Sequence, residues 1–175
     1  MAAGPCPDRD PYSAFIVSAS TANGADPYLH EYFRRFRSTV REDDEQRSLL
    51  FVVHSTGISG GSYVILQHAQ YLAERGWRVG LAVRNREHGF TPWHPALESL
   101  AVMSIDEAAE HEFDIVMATW WPTVYELPRL RGRHFMYLVQ SVESRFYGDD
   151  PDFDWAPPLA ELTYSFGLPI VTIAT

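Results

Sequence analysis

The chain predicts an α/β fold built on a doubly wound, mostly parallel sheet, and three observations carry that prediction. Short continuous apolar runs recur at 49–53, 78–84, 101–104, 114–118, 134–140 and 169–174, as expected of strands buried on both faces. Segments with helical spacing of apolar residues lie between them, at 61–75, 105–111, 121–130 and 157–166. The alternation of the two is the pattern of helices packed on both sides of a parallel sheet. At 175 residues the chain is long enough for one domain with a real core and short for two.

Taken in order, residues 1–25 are rich in Ala, Gly, Pro, Ser and Asp and read as a flexible leader with one short apolar patch at 14–17. Segment 26–47 reads as an amphipathic helix followed by a charged linker. Asp26 and Pro27 supply an N-cap and a first-turn proline, and Leu29, Tyr32, Phe33, Phe36 and Val40 recur at helical spacing. Arg34, Arg35, Arg37 and Arg41 occupy the other face, which suits either solvent or peripheral contact with an anionic inner-membrane surface. The main domain is expected over 48–175.

Its first strand, 49–53, leads through His54, Ser55 and Thr56 into Gly57-Ile58-Ser59-Gly60-Gly61-Ser62 and then a helix. In that helix Ile65, Ala69, Leu72 and Ala73 form an apolar stripe, Gln67, Gln70 and Glu74 fall away from it, and Gly76 stands where a C-terminal cap belongs. Gly60, Gly61 and Ser62 precede or open the helix, where free N–H groups and the helix dipole favour an anion such as a phosphate. A tight strand-to-helix turn selects glycine and serine as well, with no ligand at all. The second strand runs into a loop over 85–95 that carries His88, Trp93 and His94.

Composition excludes several classes. The net charge is −9 and all 14 basic residues are arginine, so a diffuse electrostatic grip on nucleic acid is not expected and a Walker-type loop, which needs lysine, is ruled out. The glycines do not fit G-x-G-x-x-G, which argues against a dehydrogenase. Cys6 is the only cysteine, so neither a disulfide framework nor a thiolate cluster is available. No apolar run reaches the roughly 20 residues of a membrane span, and no signal-peptide order appears, which leads us to expect a cytoplasmic protein.

No metal site is expected. His30-Glu31 and His111-Glu112 lack the second histidine of H-E-x-x-H. The D-x-D spacings within 149–154 precede two prolines and read as a solvated acidic loop. Gly57-Ile58-Ser59-Gly60-Gly61 does fit G-x-S-x-G, the turn that presents the nucleophile of α/β-hydrolases, and would make Ser59 a nucleophile. Three polar residues separate it from the strand, however, and Asp114 and His134, which follow in triad order, fall at strand starts, the end opposite to Ser59.

Thr119-Trp120-Trp121-Pro122 follows a strand, so both indoles are expected at the ligand-bearing end of the sheet, where aromatic faces suit sugar rings; wedging a helix onto the sheet is their other use. Gln140 and Glu143 follow the 134–140 strand at the same end. Glu143 is the candidate general base, and its alternative is a surface pair with Arg145.

The pattern from Val52 through His54, Gly57, Gly60-Gly61 and Leu72-Ala73-Glu74-Arg75-Gly76-Trp77 resembles the opening of the N-terminal domain of family 4 GT-B glycosyltransferases. Tyr137-Leu138-Val139-Gln140 with the residues to Tyr147, and Glu161 to Pro169, resemble a bacterial, rhamnosyltransferase-like subgroup. The resemblance implies a Rossmann-like acceptor-side domain. It gives Gly60 and Gly61 to the donor diphosphate and places His54, Gln140 and Glu143 in the cleft; by their positions beside these residues, Ser62 is assigned to the phosphate and Ser59, Trp120 and Trp121 to the cleft. It implies a nucleotide sugar as substrate, a glycan acceptor and no separate cofactor. The family's E-x7-E element belongs to its C-terminal domain and has no counterpart here. Together with a chain that stops after a bare strand, this leads us to expect a half-enzyme truncated before its donor-binding domain and inactive alone. A non-catalytic nucleotide- or sugar-binding module is the alternative.

Overall fold

A computed structural model describes residues 46–85, 92–148 and 151–172. The leader, nearly all of the segment read as an arginine-bearing helix and linker, Cys6, His88 and the first two aspartates of the acidic loop lie outside the described residues.

The fold is an all-parallel, Rossmann-like α/β arrangement. Its elements in chain order are β1 (Ser48–Val53), α1 (Gly60–Ala73), β2 (Arg78–Val83), α2 (Pro95–Ser99), β3 (Ala101–Ser104), α3 (Ile105–Ala109), β4 (Glu112–Ala118), α4 (Trp121–Val124), β5 (Arg131–Val139), α5 (Ala156–Thr163) and β6 (Ile170–Thr172). Three 3-10 turns, Leu127–Arg129, Glu143–Phe146 and Pro151–Phe153, fill connections. All six strands join one parallel sheet in the order β3-β2-β1-β4-β5-β6. Chain order reverses between β1 and β4, and open α/β sheets leave a crevice beyond the strand ends at such a point.

The two faces of the sheet carry separate cores. Leu49, Phe51 and Val53 of β1 meet Ile65, Leu66 and Ala69 of α1 and Ala96 and Leu97 of α2. Leu50 and Val52 face the other way, onto Ile105 and Ala108 of α3, Val124 of α4, Leu127, Leu130, Phe166 and Leu168. Since side chains alternate along a strand, a slip of one residue would exchange the two sets, and because both are apolar it is the fit of particular side chains in each core, not the apolar run, that fixes the register.

Local signals set the helix ends. Ser59 caps α1, its Oγ accepting from the Ser62 N–H at 3.0 Å. At the other end Gly76 takes φ +83°, a conformation costly to any residue with a Cβ, and the chain turns straight into β2. Ser104 and Glu107 form a reciprocal capping box on α3. The 85–95 loop delivers two structural groups: Trp93 Nε1 donates to the Thr56 carbonyl at 2.7 Å, and His94 Nδ1 caps α2 by accepting from Ala96 N–H at 3.2 Å. The helix expected over 121–130 is one turn of α-helix followed by a 3-10 turn, because Pro128 denies the chain a backbone donor inside that stretch.

Candidate functional site

A cavity of about 530 Å³ opens at the switch point. Val53, His54 and Ser55 line it from beyond β1, Thr119 and Trp120 from beyond β4, and Gln140, Ser141, Glu143 and Phe146 from beyond β5. Ser59, Gly61, Ser62 and Ile65, at the start of α1, close the remaining side. No arginine is among these lining residues.

Buried hydroxyls hold the rim. Thr119 Oγ1 donates to the Val52 carbonyl at 2.8 Å and ties the end of β4 to β1. Thr123 Oγ1 accepts from the backbone N–H groups of Thr119 and Trp120 at 3.0 and 3.2 Å and donates to the Trp120 carbonyl at 2.7 Å. The turn is thereby fixed with Trp120 extended, at φ −158° and ψ 152°, and its indole edge-on to His54 with ring centroids 4.7 Å apart.

The two tryptophans part company at this turn, and the expectation for Trp121 needs correcting. Trp121 is buried in a small cluster with Ala156 and Ala160 of α5, donates its Nε1–H to the Tyr147 hydroxyl at 2.6 Å, and does not line the cavity. It opens α4 while Trp120 still has strand geometry, so the side chains of these neighbours diverge. Wedging is the role of Trp121 and lining the role of Trp120.

Glu143 is likewise no surface partner of Arg145. Its side chain is 2% exposed, and its Oε2 accepts two hydrogen bonds, from the Tyr137 hydroxyl at 2.6 Å and the Trp121 backbone N–H at 2.7 Å. Its own backbone N–H donates to the Tyr164 hydroxyl at 3.2 Å. Burial pushes the carboxyl up to about 7, against the opposing pull of the two hydrogen bonds, so both protonation states are populated near neutrality. Tyr137 is raised well above its ordinary value, first by burial and then by the Glu143 carboxylate, and stays a hydrogen-bond donor. Tyr164, stacked on Tyr137 at 5.9 Å, is raised by burial too.

At the α1 turn, Gly61 and Ser62 line the cavity, whereas Gly60 is exposed beside it. Neither glycine has a positive φ. A Cβ on Gly61 would come to 3.4 Å from Gln140 Oε1, and one on Gly60 would meet nothing within 4 Å. The Gln140 amide therefore sits beside the helix start, within ordinary contact distance of a side chain placed at Gly61.

Ser59 lines the cavity and caps α1. Its hydroxyl donates to Ser62 Oγ at 2.9 Å and its backbone is extended, at φ −156° and ψ 162°, without the strain of a nucleophile turn. Asp114 and His134 lie in the N-terminal portions of β4 and β5, toward the other edge of the sheet.

Sequence reasoning missed Tyr137, Tyr164 and Thr119. The available signal was a tyrosine inside a core strand six residues before an acid, since a buried phenol needs a polar partner. Among the described residues no helix is long and apolar enough to cross a membrane, and no group of three or more His, Cys, Asp or Glu is placed to hold a metal. The class defined by fold and site is a Rossmann-like α/β domain with an aromatic-edged crevice of mixed polarity at its switch point. No protein-family model matches the chain, and no curated protein matches it in sequence.

Proposed function

We propose that this domain is the acceptor-side half of a GT-B glycosyltransferase, which transfers a sugar from a nucleotide-sugar donor to a bacterial glycan in the cytoplasm. The observation that carries the reading is the convergence, in one crevice, of an α-helix start, an indole and a buried carboxyl of near-neutral affinity for its proton. In the proposed reaction the Glu143 carboxylate takes the proton of an acceptor hydroxyl. The hydroxyl oxygen bonds to the anomeric carbon, and the bond from that carbon to the diphosphate breaks, releasing the nucleoside diphosphate with its electron pair. Trp120 offers an apolar edge to a sugar ring, Gln140 offers an amide, and the N–H groups at Gly60 and Gly61 face the donor phosphates, the Ser62 N–H being held by the Ser59 cap. With no arginine lining the cavity, those N–H groups and the His54 ring are what this half offers an anion there from its described residues.

Equilibrium binding of nucleotide sugars to the wild-type chain and to Gly61→Val tests this. The branched side chain fills the space between Gln140 and the helix start, where a phosphate would sit, so binding should weaken by about 2 kcal/mol, roughly thirtyfold, with an unchanged circular dichroism spectrum. Equal binding by a folded Gly61→Val chain removes the phosphate role. Binding of sugars without nucleotide sugars favours a sugar-binding module instead.

A further inference from the structure

Glu143 has its two carboxyl oxygens in different circumstances. The Tyr137 hydroxyl and the Trp121 N–H both point at Oε2, and among the described residues no donor reaches Oε1. Glu143 lines the cavity, in a wall that no arginine shares. With the phenol and the amide both donating, the lone pairs of Oε2 are occupied, and a proton taken up by the carboxyl goes to Oε1.

We propose that Tyr137 is a positioning residue that fixes Glu143 through Oε2, so that Oε1 alone exchanges a proton with a hydroxylated ligand in the cavity. The proposal deepens the reading of Glu143 as an acid or base, and it assigns the division of labour between its oxygens to a residue that lines no part of the cavity. Tyr137 suits the task. It is fully buried on β5, its ring stacks on Tyr164, and its phenol stays protonated across the range in which Glu143 titrates. A hydrogen bond to the charged form favours that form, so the phenol also restrains the proton affinity that burial raises. The other titratable groups near Glu143 are Tyr164 behind it, Tyr147 against Trp121, His54 across the cavity and Arg145 on its own turn.

The test is a carbon-13 NMR titration of the Glu143 carboxyl in the full chain, its signal assigned by loss in Glu143→Gln. The wild-type midpoint is expected near pH 7. Tyr137→Phe removes one donor to the charged form and should raise the midpoint by about one pH unit. Incorporation of 3-fluorotyrosine, whose phenol is the stronger donor, should lower it, and serves where the phenylalanine variant does not fold. A midpoint unmoved by either change would overturn the proposal and make Tyr137 a packing residue. The titration involves no nucleotide sugar and no transfer, so failure of the glycosyltransferase reading leaves its outcome interpretable, and a fixed midpoint leaves that reading standing with Glu143 unassisted.

Discussion

Two carboxyls sit toward opposite edges of the sheet, and their surroundings differ in kind. Asp114, in the N-terminal half of β4, accepts from both the backbone N–H and the hydroxyl of Ser48 at 2.7 and 2.8 Å, while its own N–H donates back to Ser48 Oγ at 2.9 Å. Arg133 stands 3.7 Å from its other oxygen. Glu143, beyond the C-terminal end of β5, also takes both its donors on one oxygen, but it is more deeply buried, and its other oxygen has no cation beside it among the described residues and faces a cavity. One carboxyl has hydrogen bonds and a cation distributed over both oxygens and joins β1 to β4. The other is kept from water without a cation, which is why its proton is held more tightly than usual. Such an arrangement costs stability at neutral pH and is found where chemistry needs a poised group.

That contrast is open to experiment, beginning with the largest effect. A carboxyl whose folded-state value is raised, from 4.5 to about 7, contributes stability below the unfolded value and loses it as pH rises through the folded one. Glu143→Gln keeps a side-chain carbonyl for Tyr137 and Trp121 and cannot ionise. The stability of wild type relative to this variant, from urea unfolding, should therefore fall by up to about 3 kcal/mol between acid pH and pH 8. A flat difference would place Glu143 with Asp114 as structural glue.

Asp114→Ala should cost about 2 kcal/mol, because it strands the two Ser48 donors, and should leave binding in the cavity unchanged. Altered ligand affinity in that variant would show that the two edges are coupled. The smallest effect belongs to Ser59→Ala, where loss of the α1 cap should cost about 1 kcal/mol. In the wild-type chain a fluorophosphonate probe should leave Ser59 unmodified, since its hydroxyl is spent on Ser62. Stoichiometric labelling would reinstate the hydrolase.

The sheet was legible because its strands are runs of apolar residues bounded by turn residues, a signal that survives without knowledge of partners. Gly76 as a terminator and the turn at Gly60 and Gly61 were legible for the same local reason. The surroundings of Glu143 were not. Its phenol comes from six residues upstream in β5, its amide from 22 residues upstream at α4, and the hydroxyl on its backbone from 21 residues downstream. Only the folded sheet brings them together, so the sequence offered a glutamate after a strand as a general-base candidate, with a surface pair to Arg145 as its alternative, and nothing of what surrounds it. Trp120 and Trp121 fail the same way, since adjacent identical residues carry no mark of which one leaves strand geometry first.

The central claim is that the crevice at the switch point, and not the opposite edge, receives a sugar ligand. The most direct measurement is chemical-shift mapping of the isotope-labelled chain during titration with nucleotide sugars and with oligosaccharides. Saturable shifts are expected at His54, Gly61, Trp120, Gln140 and Glu143, with Ser48 and Asp114 unmoved. Saturable shifts clustered away from the crevice, or none with either class of ligand, would contradict it.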